Sequence, residues 1–190
     1  GCDEEVIKYI TSASVACGFH AGDPQSMRYT VELAEKHRVA VGAHPGFPDL
    51  QGFGRRNMSV TPTEAHNDVA YQIGALQAFT KSYRLQHVKP HGAMYNMAVD
   101  NTDLAKAINE AVLGTDPEMI IIVLAGSPWA DLARSMGLKV AEEAFADRAL
   151  NADGTLVSRS KPGSIIHDLA EVVERSIQTV TEGKVKAITG

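Results

Sequence analysis

An α/β fold, specifically a parallel (β/α) barrel that falls short of a full circuit, is predicted by three features of this 190-residue chain. From residue 12 onward, short apolar runs alternate with longer amphipathic segments, the pattern of repeated βα units. Each run ends in a cluster of Gly, His, Pro or Asp, so chemistry-bearing residues follow almost every strand. An open doubly wound sheet would instead concentrate them at one switch point. A complete barrel takes about 250 residues. The chain opens in helix-like "EEVIKYI" (4–10) with no strand before it and closes just after a strand. It is expected to be one barrel domain, residues 1–190, lacking an N-terminal strand and a C-terminal segment.

The elements follow in order. "SASVAC" (12–17) reads as a buried strand, and the helix "PQSMRYTVELAEKHR" after it has Asp23 as N-cap and Pro24 in its first position, with Met27, Val31 and Ala34 on one face. "VAVGA" (39–43) is the second strand. Thr61, Pro62 and Glu64 form a capping box for a helix that turns Val69, Ile73, Leu76 and Phe79 or Thr80 inward. "QHVKP" (86–90) is the third strand, "TDLAKAINEAVLG" (102–114) the helix behind it, and "EMIIIVLAG" (118–126) a fourth strand buried on both faces. The helix "WADLARSMG" and a fifth strand, "LKVAEEAF" (138–145), come next. A helix from Ser164 to about Gly183, carrying Ile165, Leu169, Val172, Val173 and Val180, and a sixth strand, "VKAIT" (185–189), complete the series.

Composition excludes several classes of function. With 44% hydrophobic and 22% charged residues the chain is ordinarily globular, and its formal net charge of −5 provides no basic stripe for nucleic acid. The apolar run "MIIIVLA" (119–125) is far short of the roughly 20 residues of a bilayer span, so no membrane role is expected. Two cysteines are too few for a disulfide framework, which suits a reducing, cytoplasmic setting. Assembly into a homo-oligomer is compatible with the sequence.

In a parallel barrel the loops after the strands open on one face, so His20, Asp23, His44, Asp49, Lys89, His91 and Asn96 can converge although distant in sequence. His20, His44 and His91 leave three successive strands, each beside Gly or Pro, and are expected to share a site. Singly, each would read as a hydrogen-bonded structural histidine, and Asp23 is already explained as a cap. The site can be a divalent metal centre held by imidazoles, or the histidines can act as general acid and base with Lys89 stabilising an anion. Spacing does not separate these two. Cys17 is expected in the core, and His37, His66, His87 and His167 at the surface or in packing. In "QGFGRR", Gly52 and Gly54 precede Arg55 and Arg56, which can hold a carboxylate or phosphate or else belong to a solvated loop. No P-loop signature is present. Arg148 and Arg159 flank the "DGT" turn (153–155), and surface pairing is expected of at least one of them.

The segments "SASVACGFHAGDP", "VGAHPGFPDLQGFGRRNMSVTP", "YQIGALQAF", "HVKPHGAMYN" and "FADRALNADGTLVSRSKPGSII" together resemble, in order, the signature stretches of the 5-oxoprolinase A-subunit family, also called LamB/YcsF. The resemblance implies a barrel of the glycoside hydrolase/deacetylase type with fewer than eight regular strands. It implies a part in the ATP-dependent hydrolysis of 5-oxoproline to glutamate, with partner subunits B and C and with ATP bound here or on a partner. On that basis His20, His44 and His91 bind a metal or move protons, and Asp23 or Asp49 orients them. Lys89 and Arg55 hold substrate carboxylate or phosphoryl oxygens, and Asp49, Asn96 and Arg148 also contact substrate. Two family features, an opening motif resembling "DLNCDLGE" and a later segment containing "HGD", are not in this sequence. A stand-alone metal-dependent deacetylase or amidohydrolase, or a non-catalytic docking subunit, are the competing expectations.

Overall fold

The computed structural model describes residues 3–82 and 84–187. A short helix α1 (Asp3–Val6) and a 3-10 turn (Ile7–Tyr9) lead into strand β1 (Ser12–Ala16). The βα repeats continue as α2 (Pro24–His37), β2 (Ala40–His44), α3 (Pro62–Gln77), β3 (His87–Val88), α4 (Gly92–Asp100), α5 (Thr102–Thr115), β4 (Ile120–Leu124), α6 (Pro128–Ser135), β5 (Lys139–Glu143) and α7 (Leu169–Glu182). The strands form one wholly parallel sheet in the order β1-β2-β3-β4-β5. Strand order that never reverses is the arc of a barrel, since a doubly wound sheet changes direction at its switch point. Among the described residues the arc is not closed.

Side-chain patterning explains the layers. On α2, Met27, Val31 and Ala34 are buried, and on α3 Ala65, Val69, Ile73 and Leu76 are wholly so, the 3.6-residue spacing of one apolar face. Ile121 and Val123 of β4 are fully buried while Ile120 and Ile122 are half-buried, so one strand face meets more of the core than the other. Trp129 of α6 is buried, and its indole N–H donates to Asn109 Oδ1 on α5 at 3.0 Å. No helix among the described residues is long and apolar enough to cross a membrane.

Three expectations about elements are corrected. Residues 92–100 are the helix α4, where the sequence reads as a loop. The last helix begins at Leu169, capped by Asp168, rather than at Ser164. Its expected first turn is committed elsewhere: Ala149 N donates to Ser164 O at 3.1 Å and Ile166 N to Asp147 O at 2.8 Å, an antiparallel bridge between Arg148 and Ile165. The sixth strand "VKAIT" is reduced to a single parallel bridge from Ala187 to Leu150, and its last two residues lie outside those described. On α7 no residue is buried, and Leu169, Val173, Ile177 and Val180 form an exposed apolar stripe.

Candidate functional site

His20, His44 and His91 are brought together, each offering one ring nitrogen so that the three atoms lie within 4.8 Å of one another. The routes to this point are different. His44 is the last residue of β2 and His91 immediately precedes α4. His20 stands in the loop after β1, closed by Gly18 N donating to Ala21 O at 2.8 Å. Gly22 in that loop has a φ of 84°, and a β-carbon there would sit 2.5 Å from Ala16 O, so only glycine fits. The His20 and His91 rings stack at 3.9 Å with an interplanar angle of 3°.

Hydrogen bonding fixes where two of the rings carry their protons. His44 Nδ1 faces the Lys89 carbonyl at 2.5 Å and His91 Nε2 faces the Phe53 carbonyl at 2.8 Å. A carbonyl only accepts, so those two nitrogens are the N–H donors. The remaining nitrogens, His44 Nε2 and His91 Nδ1, then present lone pairs to each other across 2.9 Å. Two lone pairs at that distance need a shared cation, either a proton or a metal ion. Burial, helped by the neighbouring His91, lowers the pKa of His44 to about 3 and of His20 to about 4. Burial also lowers that of His91, against the opposing Phe53 carbonyl. Protonation is therefore disfavoured at neutral pH, and the neutral imidazoles are in the form that ligates a metal.

The His44 and His91 rings border a cleft of about 770 Å³ lined by residues that include Arg55, Lys89, Tyr95, Asn96, Phe145, Arg148 and Arg159, with His20 buried behind them. Lys89 Nζ lies 2.5 Å from Glu143 Oε2 at the end of β5 and 5.0 Å from the centre of the Phe145 ring, so its charge is already matched by an acid. Burial and the Glu143 carboxylate push the Tyr95 phenol well above its usual range, keeping it protonated. Asn96 is an exposed residue of α4 on the cleft wall, and Arg148 is buried there.

The two expected carboxylates stand apart from the imidazoles. Asp23 is exposed at the start of α2, where its Oδ1 accepts from Gln25 N at 2.8 Å and Ser26 N at 3.0 Å. It does not line the cleft. Asp49 is buried with its carboxylate taken by the guanidinium of Arg56 and by Gly52 N at 2.9 Å. Arg56, first among these partners, holds its pKa down at about 2. Asp49 thus closes the 49–56 loop and has no free oxygen for substrate. Of the adjacent arginines it is Arg56 that is spent on this pair, while Arg55 lies over the Phe53 ring at 5.2 Å and faces the cleft. The "QGFGRR" loop is largely exposed, as a solvated loop would be, but it also packs on the site: its Phe53 carbonyl orients His91 and its Gly54 carbonyl accepts from Ala93 N at 2.9 Å. Cys17 is buried in the core and donates to Val15 O, as its strand position predicts. His37, His66, His87 and His167 lie outside the cluster.

The roles of four residues in and around this site are not legible in the sequence. Gly46 and Gly54 leave the space that His20 and His91 occupy, since a β-carbon at residue 46 would lie 2.6 Å from His20 Nδ1 and one at residue 54 would lie 2.8 Å from His91 Cδ2. Gln72 of α3 is fully buried and brackets Gly46, accepting from its N at 3.0 Å and donating to its O at 2.9 Å. A polar residue on the inward face of an amphipathic helix is the signal for it. Glu143, the partner of Lys89, is hidden in a strand whose end reads as two adjacent acids.

The sequence matches the LamB/YcsF family over residues 1–190. It is 59% identical to a protein from Pyrococcus furiosus named as the A subunit of 5-oxoprolinase, covering 100% of this chain and 75% of that one. A protein of the same name from Alkaliphilus metalliredigens is 58% identical with the same coverage. The crystal structure of the lactam utilization protein from Thermus thermophilus superposes with a TM-score of 0.94 at 49% identity, covering 100% of this chain and 78% of that one. With a match that spans every residue and relatives this similar in sequence and in fold, the chain belongs to the LamB/YcsF family.

Proposed function

We propose that this chain is the ring-opening subunit of an ATP-dependent 5-oxoprolinase, with its reacting centre at the three imidazoles. The observation that carries the reading is the 2.9 Å approach of two imidazole lone pairs beside a cleft of about 770 Å³, a place for one cation next to room for a small cyclic amide. His20, His44 and His91 would hold a divalent ion, which when bound polarises a carbonyl and brings the pKa of water toward 7. The chain's own groups orient that centre: the carbonyls of Lys89 and Phe53 set the tautomers, and the neutral state of the rings keeps the lone pairs free. In the reaction water oxygen bonds to the lactam carbonyl carbon, the ring C–N bond breaks, and the nitrogen leaves with a proton as the amine of glutamate. ATP cleavage to ADP and phosphate drives this unactivated amide to open. The relatives' name as an A subunit supports a role within a multi-subunit complex, in which this reading takes subunits B and C as partners and ATP as bound here or on one of them.

The test is glutamate formation from 5-oxoproline and ATP by this protein combined with subunits B and C. His91→Ala and chelation of divalent ions should each reduce turnover by a factor of about 100 or more. Metal-dependent hydrolysis of acetylated amides that ignores ATP would replace this reading with that of a stand-alone amidohydrolase, which the His-only donor set also suits. Full activity of the complex carrying His20→Ala or His91→Ala would make the chain a docking component.

A further inference from the structure

Lys89, Tyr95 and Phe145 line one wall of the cleft, and Glu143 stands behind them. Alternation along β5 separates its two terminal acids. Glu142 turns outward, where it accepts from Gly126 N at 2.6 Å and pairs with Arg134 of α6. Glu143 turns toward the cleft, and its Oε2 takes Lys89 Nζ at 2.5 Å. The pair spans β4, whose Leu124 is the register partner of Glu143. Both side chains are mostly buried, at 24% and 16% exposed, so solvent screens the pair only in part. The Phe145 ring, its centre 5.0 Å from Nζ, closes a second side of the ammonium. Among the described residues Glu143 is the ammonium's one hydrogen-bond partner, so further N–H donors remain for the cleft. Tyr95 shares both neighbours. Its ring meets Phe145 edge-on at 6.4 Å, and burial followed by the Glu143 carboxylate holds its phenol protonated. The Tyr95 hydroxyl and Glu143 Oε1 are buried, and neither has a hydrogen-bond partner among the described residues.

A buried ion pair adds little stability that well-packed apolar side chains would not supply. What this one does is cancel charge. Unopposed, a half-buried ammonium on a cleft wall draws any anion. Opposed by Glu143, it offers N–H donors with little net field, and the Tyr95 phenol is a neutral donor next to it around Glu143 and Phe145. We propose that Glu143 is a specificity-determining positioning residue: by masking the charge of Lys89 and fixing its ammonium, it makes this wall receive an uncharged amide carbonyl and turn away a carboxylate. The distinction matters for a substrate such as 5-oxoproline, which carries both groups on one small ring. With Lys89 masked, the lactam carbonyl has no competitor at this wall. With Lys89 unmasked, the carboxylate would dock there and the ring would lie the wrong way round. Glu143 does not line the cleft and acts through Lys89, so it is not itself catalytic. Its part in orienting a lactam rests on the reaction proposed above, whereas its masking of Lys89 does not.

The experiment joins a binding measurement on this chain to turnover in the complex. Calorimetric titration with acetate at fixed ionic strength compares the unsubstituted protein with its variants. Glu143→Gln, which keeps the shape and removes the charge, should bind acetate about tenfold or more tightly. A gain of affinity cannot come from a protein that fails to fold. Glu143→Asp keeps the charge and should show no such gain, and the double variant Lys89→Met, Glu143→Gln should lose it. Glu142→Gln, the same change on the outward face of β5, should leave acetate binding and turnover as they are. With 5-oxoproline, ATP and subunits B and C, Glu143→Gln should lower kcat and KM together by about tenfold, the signature of substrate held the wrong way round, and Glu143→Asp should restore most of both. Acetate affinity unchanged by Glu143→Gln, or a gain that survives in the double variant, overturns the proposal. So does an active complex in which Glu143→Gln leaves kcat unchanged or lowers it with no fall in KM. If the unsubstituted complex opens no lactam, the reaction proposed above falls, and the acetate titration by itself decides whether Glu143 masks Lys89.

Discussion

Gly46 and Gly54 act through the side chain they lack. A methyl at residue 46 would press on His20 Nδ1 at 2.6 Å, and one at residue 54 on His20 Cβ at 2.7 Å. The His20 ring has no room to retreat, being 1% exposed and stacked on His91. Gly46→Ala is therefore expected to cost about 1–3 kcal/mol of stability through overpacking. Under the proposed metal-centre reading it should also lower the divalent ion bound per chain, because the ring is pushed away from its two neighbours. Denaturant unfolding and metal analysis of the purified variant check both, and an unaltered ion content would show that His20 is not a ligand. The three histidines themselves were legible, because each follows an apolar run with Gly or Pro within two residues of it. The carboxylates were not. Asp23 and Asp49 stand in the same loops, but local partners, the α2 amides and Arg56, use their oxygens before any ligand can. Nor does sequence distinguish Arg55 from Arg56, whose opposite fates depend on which way one loop turns.

At the scale of elements, α3 reaches across to hold the β2 loop. Gln72 satisfies both the N–H and the carbonyl of Gly46 from inside the core, and its Nε2 also donates to Asp68 O at 2.9 Å. Gln72→Leu keeps the volume but leaves buried backbone groups unpaired, at about 1–3 kcal/mol for each. The thermal midpoint should fall by several degrees, given about 2–4 °C per kcal/mol for a chain of this size. Helicity in the folded baseline should be retained, since α3 loses none of its own backbone bonds. Circular dichroism melts measure both, and an unchanged midpoint would mean that the loop does not depend on this grip. Helices α2 and α3 were legible through Asp23, Thr61 and their prolines, which signal a start locally. Helix α4 was not, because its start is fastened from elsewhere: Gly92 sits at a φ of 55° where a β-carbon would be 2.5 Å from Gly54 O, and that carbonyl takes the Ala93 N–H. Ile165 fits the helical spacing of α7, but spacing says nothing about the pairing with Arg148 that claims its backbone.

For the molecule as a whole, consecutive parallel strands turn the loops with His20, His44 and His91 to one end of the arc and bury a fourth histidine within the sheet. His87, on β3, is 1% exposed, its Nε2 lies 3.0 Å from Ser14 Oγ on β1, and burial lowers its pKa to about 4. A strand-starting histidine is legible as packing, whereas the arc that places it against Ser14 is a property of strand order. Its effect on stability has a definite sign. The folded pKa lies below the ordinary value of 6.5, so the unfolded chain binds more protons between the two, and stability rises with pH there. The stabilisation is complete above about pH 6.5 and is lost as pH falls toward 4, at up to about 1.4 kcal/mol per pH unit for one histidine. His20 and His44, at about 4 and 3, act in the same sense. The Asp49 carboxyl, held down at about 2, is lost only below this window. Unfolding free energies measured from pH 7.5 to 5 with a chelator present should therefore hold level to about pH 6.5 and decline below it. His87→Asn removes one of the titrating groups and should flatten that decline by roughly one histidine's share, up to about 1.4 kcal/mol per pH unit. A slope unchanged by the substitution would show that the sheet does not hold His87 neutral.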